Sequence, residues 1–285
     1  MTQADKARAL LQRHLAPPIL VLPNAWDAAS ARVFETAGFP AIATTSAGVA
    51  WARGYPDGAY IPPGEMIAVI ARIAASVDVP VTADIEHGYG GTIGEVVRTV
   101  EQVIEAGAVG INLEDALPGV RGTLEAVGLQ AEKIRAIRDL ADAVKVPLVV
   151  NARTDVYLDA IGEPATRLEA TVRRARAYRA AGADCIFVPG VRDGETIGRL
   201  VAEIGGPINV LAGQGIPPAA ELQRLGVARV SVGSGPMRAV LGRLQQMAAS
   251  LHDEGRFELV TEGPTHSAIN ELMAEPARRL AARRG

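Results

Sequence analysis

The sequence predicts a (β/α)8 barrel: one domain over residues 1–285, with a helix ahead of the barrel and an extra helix after it. Three observations carry that prediction. Short apolar stretches alternate with stretches of helical period eight times along the chain. The apolar stretches lack polar alternation, as parallel strands covered by helices do. The turn after the first strand, LPNAWDAAS, has no GxGxxG, which a dinucleotide-binding sheet would place there.

Taken in order, MTQADKARALLQRHLAPP is a charged leading helix, and ILVLPNAWD is the first strand, with Asp27 placed to cap the helix AASARVFETAG. AIATTSAG is the second strand, followed by a polar loop, VAWARGYPDGAYIPP, and the helix GEMIAVIARIAASV. VPVTADIE and VGINLED are the third and fourth strands, each followed by a helix; the loop ALPGVRGTLEAV precedes the second of these helices. PLVVNART, DCIFVPG, PINVLAGQG and ARVSVGSG complete the eight, each followed by a helix. A glycine is expected to close each of these helices. The tail TEGPTHSAINELMAEPARRLAARRG reads as one more short helix whose arginines form a solvated face. No low-complexity linker divides the chain.

Composition narrows the function. With 29 basic and 32 acidic residues the net charge is −3, which leaves no electrostatic footprint for nucleic acid. Aromatics make up 4% of the chain, too few for base-stacking platforms. Cys185 is the single cysteine, so an intrachain disulfide or a thiolate metal cluster is impossible; within CIFV it reads as a buried structural thiol. The N-terminus carries no signal-like apolar core, and no apolar run is long enough to span a membrane. The expectation is a soluble cytoplasmic protein that handles a small molecule.

Barrel chemistry sits at the carboxyl ends of the strands. The third strand delivers Asp84, Glu86 and His87; Asp84 and Glu86, two apart, leave on one side and repel unless a cation or protons join them. The fourth delivers Asn112, Glu114 and Asp115, and the fifth Asn151, Arg153 and Asp155. The second offers Thr44, Thr45, Ser46, Ala47 and Gly48, and its loop Arg53 and Asp57. Any one of these acids could be a helix cap or a surface ion pair; acids at successive strand ends converge. Such a carboxylate set suits Mg2+, or Mn2+, while the four scattered histidines do not suit zinc. An arginine beside it can hold a substrate carboxylate. AGQG and GSG, after the seventh and eighth strands, occupy a common phosphate position in barrels, but neither loop carries a lysine or arginine.

With these residues in place the chain resembles the isocitrate lyase/phosphoenolpyruvate mutase superfamily. The matching pieces are LPNAWDAASA, TTSAGVA with GYPDG, ADIEHGYGG, GAVGINLED and VNARTD, in that order over most of the first six units. The resemblance implies an Mg2+-dependent barrel enzyme that breaks a C–C or P–C bond of a 2-oxo, 2-hydroxy or enol carboxylate through a metal-stabilised enolate. It makes Asp84, Glu86 and Glu114 the metal set, directly or through metal-bound water, and places Asp57 near those waters. It assigns Ser46, Ala47 and Gly48 to the substrate carboxylate and Arg153 to substrate oxygens, so that Asp57, Glu114 and Arg153 carry catalysis. It also implies a homo-oligomer, a dimer or tetramer, with a terminal helix exchanged between neighbours.

Two departures shape the expectation. Where aldol-type lyases carry KKCGH or KRCGH, this chain reads LEDALPGVRGTLEAVG, without a cysteine, lysine or histidine, and the long gating loop of mutases is lacking as well. His87 stands where a small hydroxyl residue is common, and its imidazole is suited to a supporting role or to proton transfer. The leading expectation is therefore an Mg2+-dependent lyase of decarboxylase type acting on a small 2-oxo acid such as oxaloacetate. Phosphoenolpyruvate or phosphonopyruvate mutase or hydrolase chemistry, and a non-catalytic 2-oxo-acid binding protein, are the alternatives.

Overall fold

The computed structural model describes residues 1–58, 60–120 and 122–282. Nine strand segments run parallel in one sheet: β1 (Leu20–Leu22), β2 (Asn24–Ala25), β3 (Ile42–Thr44), β4 (Val81–Asp84), β5 (Gly110–Glu114), β6 (Val149–Arg153), β7 (Cys185–Val188), β8 (Ile208–Leu211) and β9 (Arg229–Ser231). β1 pairs with β9 and β2 with β3. β1 and β2 are halves of one strand parted at Pro23, which has no N–H to give but whose carbonyl still accepts from the Ala43 N–H at 2.8 Å. The sheet therefore closes on itself with eight strand positions, the barrel the sequence predicts.

Around it run α1 (Gln3–Leu15), α2 (Ala28–Thr36), α3 (Ser46–Ala52), α4 (Pro63–Ser76), α5 (Ile93–Glu105), α6 (Val127–Ala143), α7 (Arg167–Ala180), α8 (Gly194–Ile204), α9 (Ala219–Arg224), α10 (Gly235–Ala249), α11 (Glu258–Thr261) and α12 (His266–Ala282). Their starts are chemically marked. Thr2 with Asp5, Asp27 with Ser30 and Thr92 with Glu95 form reciprocal caps on α1, α2 and α5, each such cap contributing about 1 kcal/mol. α5 buries Val96, Val100, Val103 and Ile104 against the sheet, and full burial of such a side chain is worth about 1.5–3 kcal/mol.

α1 buries Ala7, Leu10 and His14 at the amino-terminal end of the barrel. Leu10 approaches β5 so closely that a Cβ on Gly110 would stand 3.0 Å from its Cδ2, which is why a glycine opens that strand. With this end covered by α1, the carboxyl ends of the strands face the loops that carry the chemistry.

Three local readings change. The stretch from Val49, expected as loop, begins inside α3, because Thr45 caps a helix made of small residues. The bare loop after Asp115 is pinned by an antiparallel bridge between Ala116 and Leu124. The tail forms one helix as expected, but α12 is long rather than short, with α11 just ahead of it, and α12 packs on α2 and α4, with Arg32 Nε donating to the Leu272 carbonyl at 3.1 Å. The tail's arginine side chains lie outside the described residues. Most of α10 is exposed or half-buried: Met237 is its one buried residue. Among the described residues no helix is long and apolar enough to cross a membrane.

Candidate active site

The register of the parallel strands decides which side chains meet. Asp84 lies level with Asn112, Asn112 with Asn151, and Glu114 with Arg153. The acids on β4 and β5 and the arginine on β6 therefore emerge side by side at one rim, with Ser46 reaching over from the end of β3.

Asp84 is fixed by one oxygen only. Its Oδ2 accepts from the Ser46 N–H at 3.0 Å and the Ser46 hydroxyl at 2.8 Å, and its own N–H donates to Thr44 Oγ1 at 2.9 Å. Its Oδ1 is buried and has no hydrogen-bond partner among the described residues. A buried carboxylate oxygen without a donor costs about 1–3 kcal/mol or more, so this atom is positioned for something that binds there. Glu86 is 4% exposed and sits at φ 51°, a left-handed backbone costly for a residue with a side chain. Its Oε1 accepts from the Tyr89 hydroxyl at 2.8 Å.

Arg153 is held as a planar fork. Nε and Nη2 donate to the two oxygens of Asp155 at 2.6 and 2.8 Å, Nη1 meets Glu114 Oε2 at 2.8 Å, and Phe187 lies 5.8 Å below the guanidinium. Among the described residues these contacts use three of its five N–H donors. Burial pushes the Glu114 carboxyl well above the usual range; Arg153 pulls it back, and the charges of Asp155, Asp84 and Glu86 push it further up. Asp57 on its loop is raised by partial burial and then by the charge of Asp84, with Arg153 opposing. The acids are thus close enough to repel, with Arg153 as the cation among them.

Two hollows meet here. An inner cavity of about 180 Å³ is lined by Ser46, Ala47, Asp84, Asn112, Arg153 and Ser231, among others. An outer one of about 530 Å³ is lined by Tyr60, Glu86, His87, Glu114 and the loop from Ala116 to Val120. Asp57 borders both. In the first turn of α3 the Ser46 N–H is taken by Asp84 and the Gly48 N–H by Thr45 Oγ1 at 3.3 Å, and Ala47 between them lines the inner cavity. Gly48 is a packing position set back from the cavity lining: a Cβ there would stand 2.6 Å from Thr45 Cγ2 and 3.1 Å from Trp26 Cβ.

The glycine loops are partly closed to anions. Asn24 Oδ1 accepts from the N–H groups of Val232 and Gly233 at 3.0 and 2.9 Å, occupying donors a phosphate would use after the last strand. His87 borders the outer cavity, 5.9 Å from the Tyr89 ring, and burial followed by the Lys133 charge lowers its pKa. Cys185 is fully buried, and burial pushes its thiol up to about 12. Asp115 is structural: it accepts from Tyr178, Arg174 and the Asp155 N–H at 2.7, 3.1 and 3.0 Å.

Sequence reasoning gave no role to Asp155, Asn112, Asn24 or Tyr89. Asp155 was findable, since it lies two residues past Arg153, and Asn112 likewise stands two before Glu114 on one face of its strand. Nothing local marks Asn24 or Tyr89.

Among the described residues no three histidine, cysteine, aspartate or glutamate side chains converge tightly enough to grip a cation alone. The donor set nonetheless fits a hard divalent ion. The orphaned Asp84 Oδ1 is an oxygen that such an ion would take directly, and Mg2+ keeps several of its waters, through which the surrounding carboxylates would act.

Comparison with known proteins finds relatives over most of the chain. Residues 10–252 match the family described as phosphoenolpyruvate phosphomutase. An uncharacterized Mycobacterium tuberculosis protein, Rv1998c, is 39% identical over 233 residues, 82% of this chain and 84% of that one. Oxaloacetate decarboxylase of Rhodopseudomonas palustris is 30% identical over 258 residues, 86% of this chain and 85% of the enzyme. A solved structure from Burkholderia cenocepacia superposes with a TM-score of 0.88 at 38% identity, covering 95% of this chain and 96% of its own.

Proposed function

The chain belongs to the phosphoenolpyruvate phosphomutase family, within the isocitrate lyase/phosphoenolpyruvate mutase superfamily of lyases and mutases, and from that premise we propose an Mg2+-dependent carbon–carbon lyase of decarboxylase type. Its substrate would be a small 2-oxo dicarboxylate, with oxaloacetate as the leading candidate. The observation that carries this reading is the orphaned Asp84 Oδ1 in a cavity of about 180 Å³ shared with Arg153. A cavity of that size suits an acid of about four carbons. A relative at 30% identity named oxaloacetate decarboxylase adds weight.

Asp84 would hold the ion directly, and Glu86, Glu114 and Asp57 would hold its water shell. When bound, the ion supplies a Lewis acid that draws electron density from the 2-oxo group. The rest falls to this chain's side chains. The Ala47 N–H and the Arg153 guanidinium bind and orient the carboxylate and 2-oxo oxygens. Asp155 and Phe187 keep Arg153 rigid, so its charge is in place before the bond breaks. The C3–C4 bond breaks, its electron pair passes to C3 and the 2-oxo oxygen, and carbon dioxide leaves. The enolate takes a proton at C3 from water to give pyruvate. Decarboxylation of this kind needs no dedicated acid in the inner cavity, whose lining contains no lysine, histidine or cysteine among the described residues.

The phosphorus alternative, a mutase or hydrolase acting on phosphoenolpyruvate or phosphonopyruvate, has less support because Asn24 already takes the N–H groups after the last strand. The test is pyruvate release from oxaloacetate with Mg2+, measured above the rate of the metal alone, in wild-type, Asp84→Ala and Arg153→Ala proteins. Loss of the excess in both variants is expected. Rates in the variants equal to wild type would overturn the assignment, and phosphorus NMR on the two phosphorus substrates would reveal the alternative.

A further inference from the structure

Strand β9 reads Arg-Val-Ser in an otherwise apolar stretch, and Arg229 at its start points into the barrel. It is fully buried. Its Nε donates to Ser231 Oγ at 3.0 Å, and its Nη2 lies 3.5 Å from Asn112 Oδ1. Its Nη1 has no hydrogen-bond partner, and no carboxylate lies within ion-pair distance of it, among the described residues. Asn209 bonds to Ser231, and Asn151 to Asn112, completing a polar layer across the barrel.

A buried guanidinium without a counter-ion is expensive, and an apolar side chain of similar volume would fill the core at lower cost. The neighbours suggest what offsets that expense. Ser231 and Asn112, the two side chains Arg229 touches, both line the inner cavity. Arg229 precedes Ser231 by two residues on one face of the strand, so it lies roughly 7 Å deeper along the barrel. The guanidinium is therefore one side chain below the cavity floor. Burial lowers its pKa to about 10, with the charge of Asp84 opposing, so it remains a cation at neutral pH.

We propose that Arg229 is a positioning residue that gives the floor of the inner cavity a fixed positive charge, favouring an anionic ligand and weakening the hold of the acidic rim on a divalent cation. It touches neither, acting through Ser231, Asn112 and the field between them. This rests on the reading of the inner cavity as an anion site beside a metal. A ligand atom bonded to Ser231 or Asn112 stands roughly 6–8 Å from the guanidinium, given ordinary hydrogen-bond lengths. At an effective dielectric near 20, a unit charge at that range changes affinity by roughly 30- to 100-fold for each ligand charge.

The experiment measures two dissociation constants in wild type and in Arg229→Met, Arg229→Gln and Arg229→Lys. One is for Mn2+ alone, by electron paramagnetic resonance; the other is for oxalate at saturating Mg2+, by calorimetry, with singly charged oxamate as comparison. The neutral variants should bind Mn2+ several-fold more tightly and oxalate at least tenfold more weakly, with a smaller loss for oxamate, while Arg229→Lys stays near wild type. Arg229→Gln removes the charge while keeping a side-chain N–H donor. A merely structural role would weaken both constants together, and that result, or no change in either, overturns the proposal. So does failure of both neutral variants to fold while the lysine variant folds. Wild-type protein that binds Mn2+ and oxalate but turns over no 2-oxo acid would refute the lyase assignment and leave this proposal standing; wild type that binds neither would overturn both.

Discussion

Asp84→Asn should make the metal-free protein more stable while removing its response to metal. In wild type, Oδ2 takes both Ser46 donors and Oδ1 is buried without one. The substituted amide keeps an oxygen for Ser46 and turns its NH2 toward the orphan position, where acidic neighbours can accept. It also removes a negative charge that raises the carboxyls of Asp57 and Glu114. Relieving one buried unpaired acceptor is worth about 1–3 kcal/mol. At roughly 2–4 °C per kcal/mol for a chain of this size, the metal-free variant should melt about 2–12 °C above wild type. Mg2+ at 100 times its Kd should stabilise wild type by about 2.7 kcal/mol and leave the variant unmoved. Melting curves with EDTA and with Mg2+ would thus narrow or reverse the order of the two proteins. A variant that melts below wild type in EDTA, or that rises with Mg2+ as wild type does, would refute the view that Oδ1 is a vacant ligand.

Two further outcomes follow from other parts of the fold. His14 is buried under the barrel with Nδ1–H donating to the Leu10 carbonyl at 2.8 Å, and burial, then the Arg229 charge, lowers its pKa from 6.5 to about 4. Its folded pKa lies below the unfolded value, so stability is intact above pH 6.5 and falls as the pH drops toward 4. The loss is about 3 kcal/mol at about 1.36 kcal/mol per unit. Urea midpoints for wild type and His14→Gln between pH 4 and 8 should diverge by that amount on the acid side; parallel curves would contradict the shift. The apolar face of α10, with Val240 and Leu244 each 54% exposed, should be covered by a second copy of this chain. Light scattering should therefore give at least twice 29.8 kDa, and Val240→Glu with Leu244→Glu should reduce it to one chain; a wild-type monomer would rule this out.

The barrel and the rim of its site were legible because both depend on local order. Eight apolar stretches and their intervening helices fix which residues end each strand, and the strand ends bring Asp84, Glu114 and Arg153 together wherever the helices settle in detail. What stayed hidden depends on register and depth, which the alternation of one strand does not encode. That Asp84 faces the inner cavity and Glu86 and Glu114 the outer one follows from a left-handed residue at Glu86 and from Arg153 pulling Glu114 aside. That Gly48 is a packing glycine follows from Trp26 and Thr45 behind it.

Arg229 did carry a signal, a charge in a strand with no other, but composition alone would place it on the surface, as most arginines are. The structure places it instead beneath an acidic rim, and that position unites features with no common cause in the sequence. A layer of Asn112, Asn151, Asn209 and Ser231 makes poor sense as a core, which is cheaper to fill with aliphatic side chains. It does make sense as an insulated path between a buried cation and the cavity: amides and a hydroxyl reorient around the charge without neutralising it, whereas one carboxylate at any of these positions would cancel the field. That Arg229 meets no carboxylate within ion-pair distance among the described residues therefore bears on the proposed role as directly as the acids of the rim.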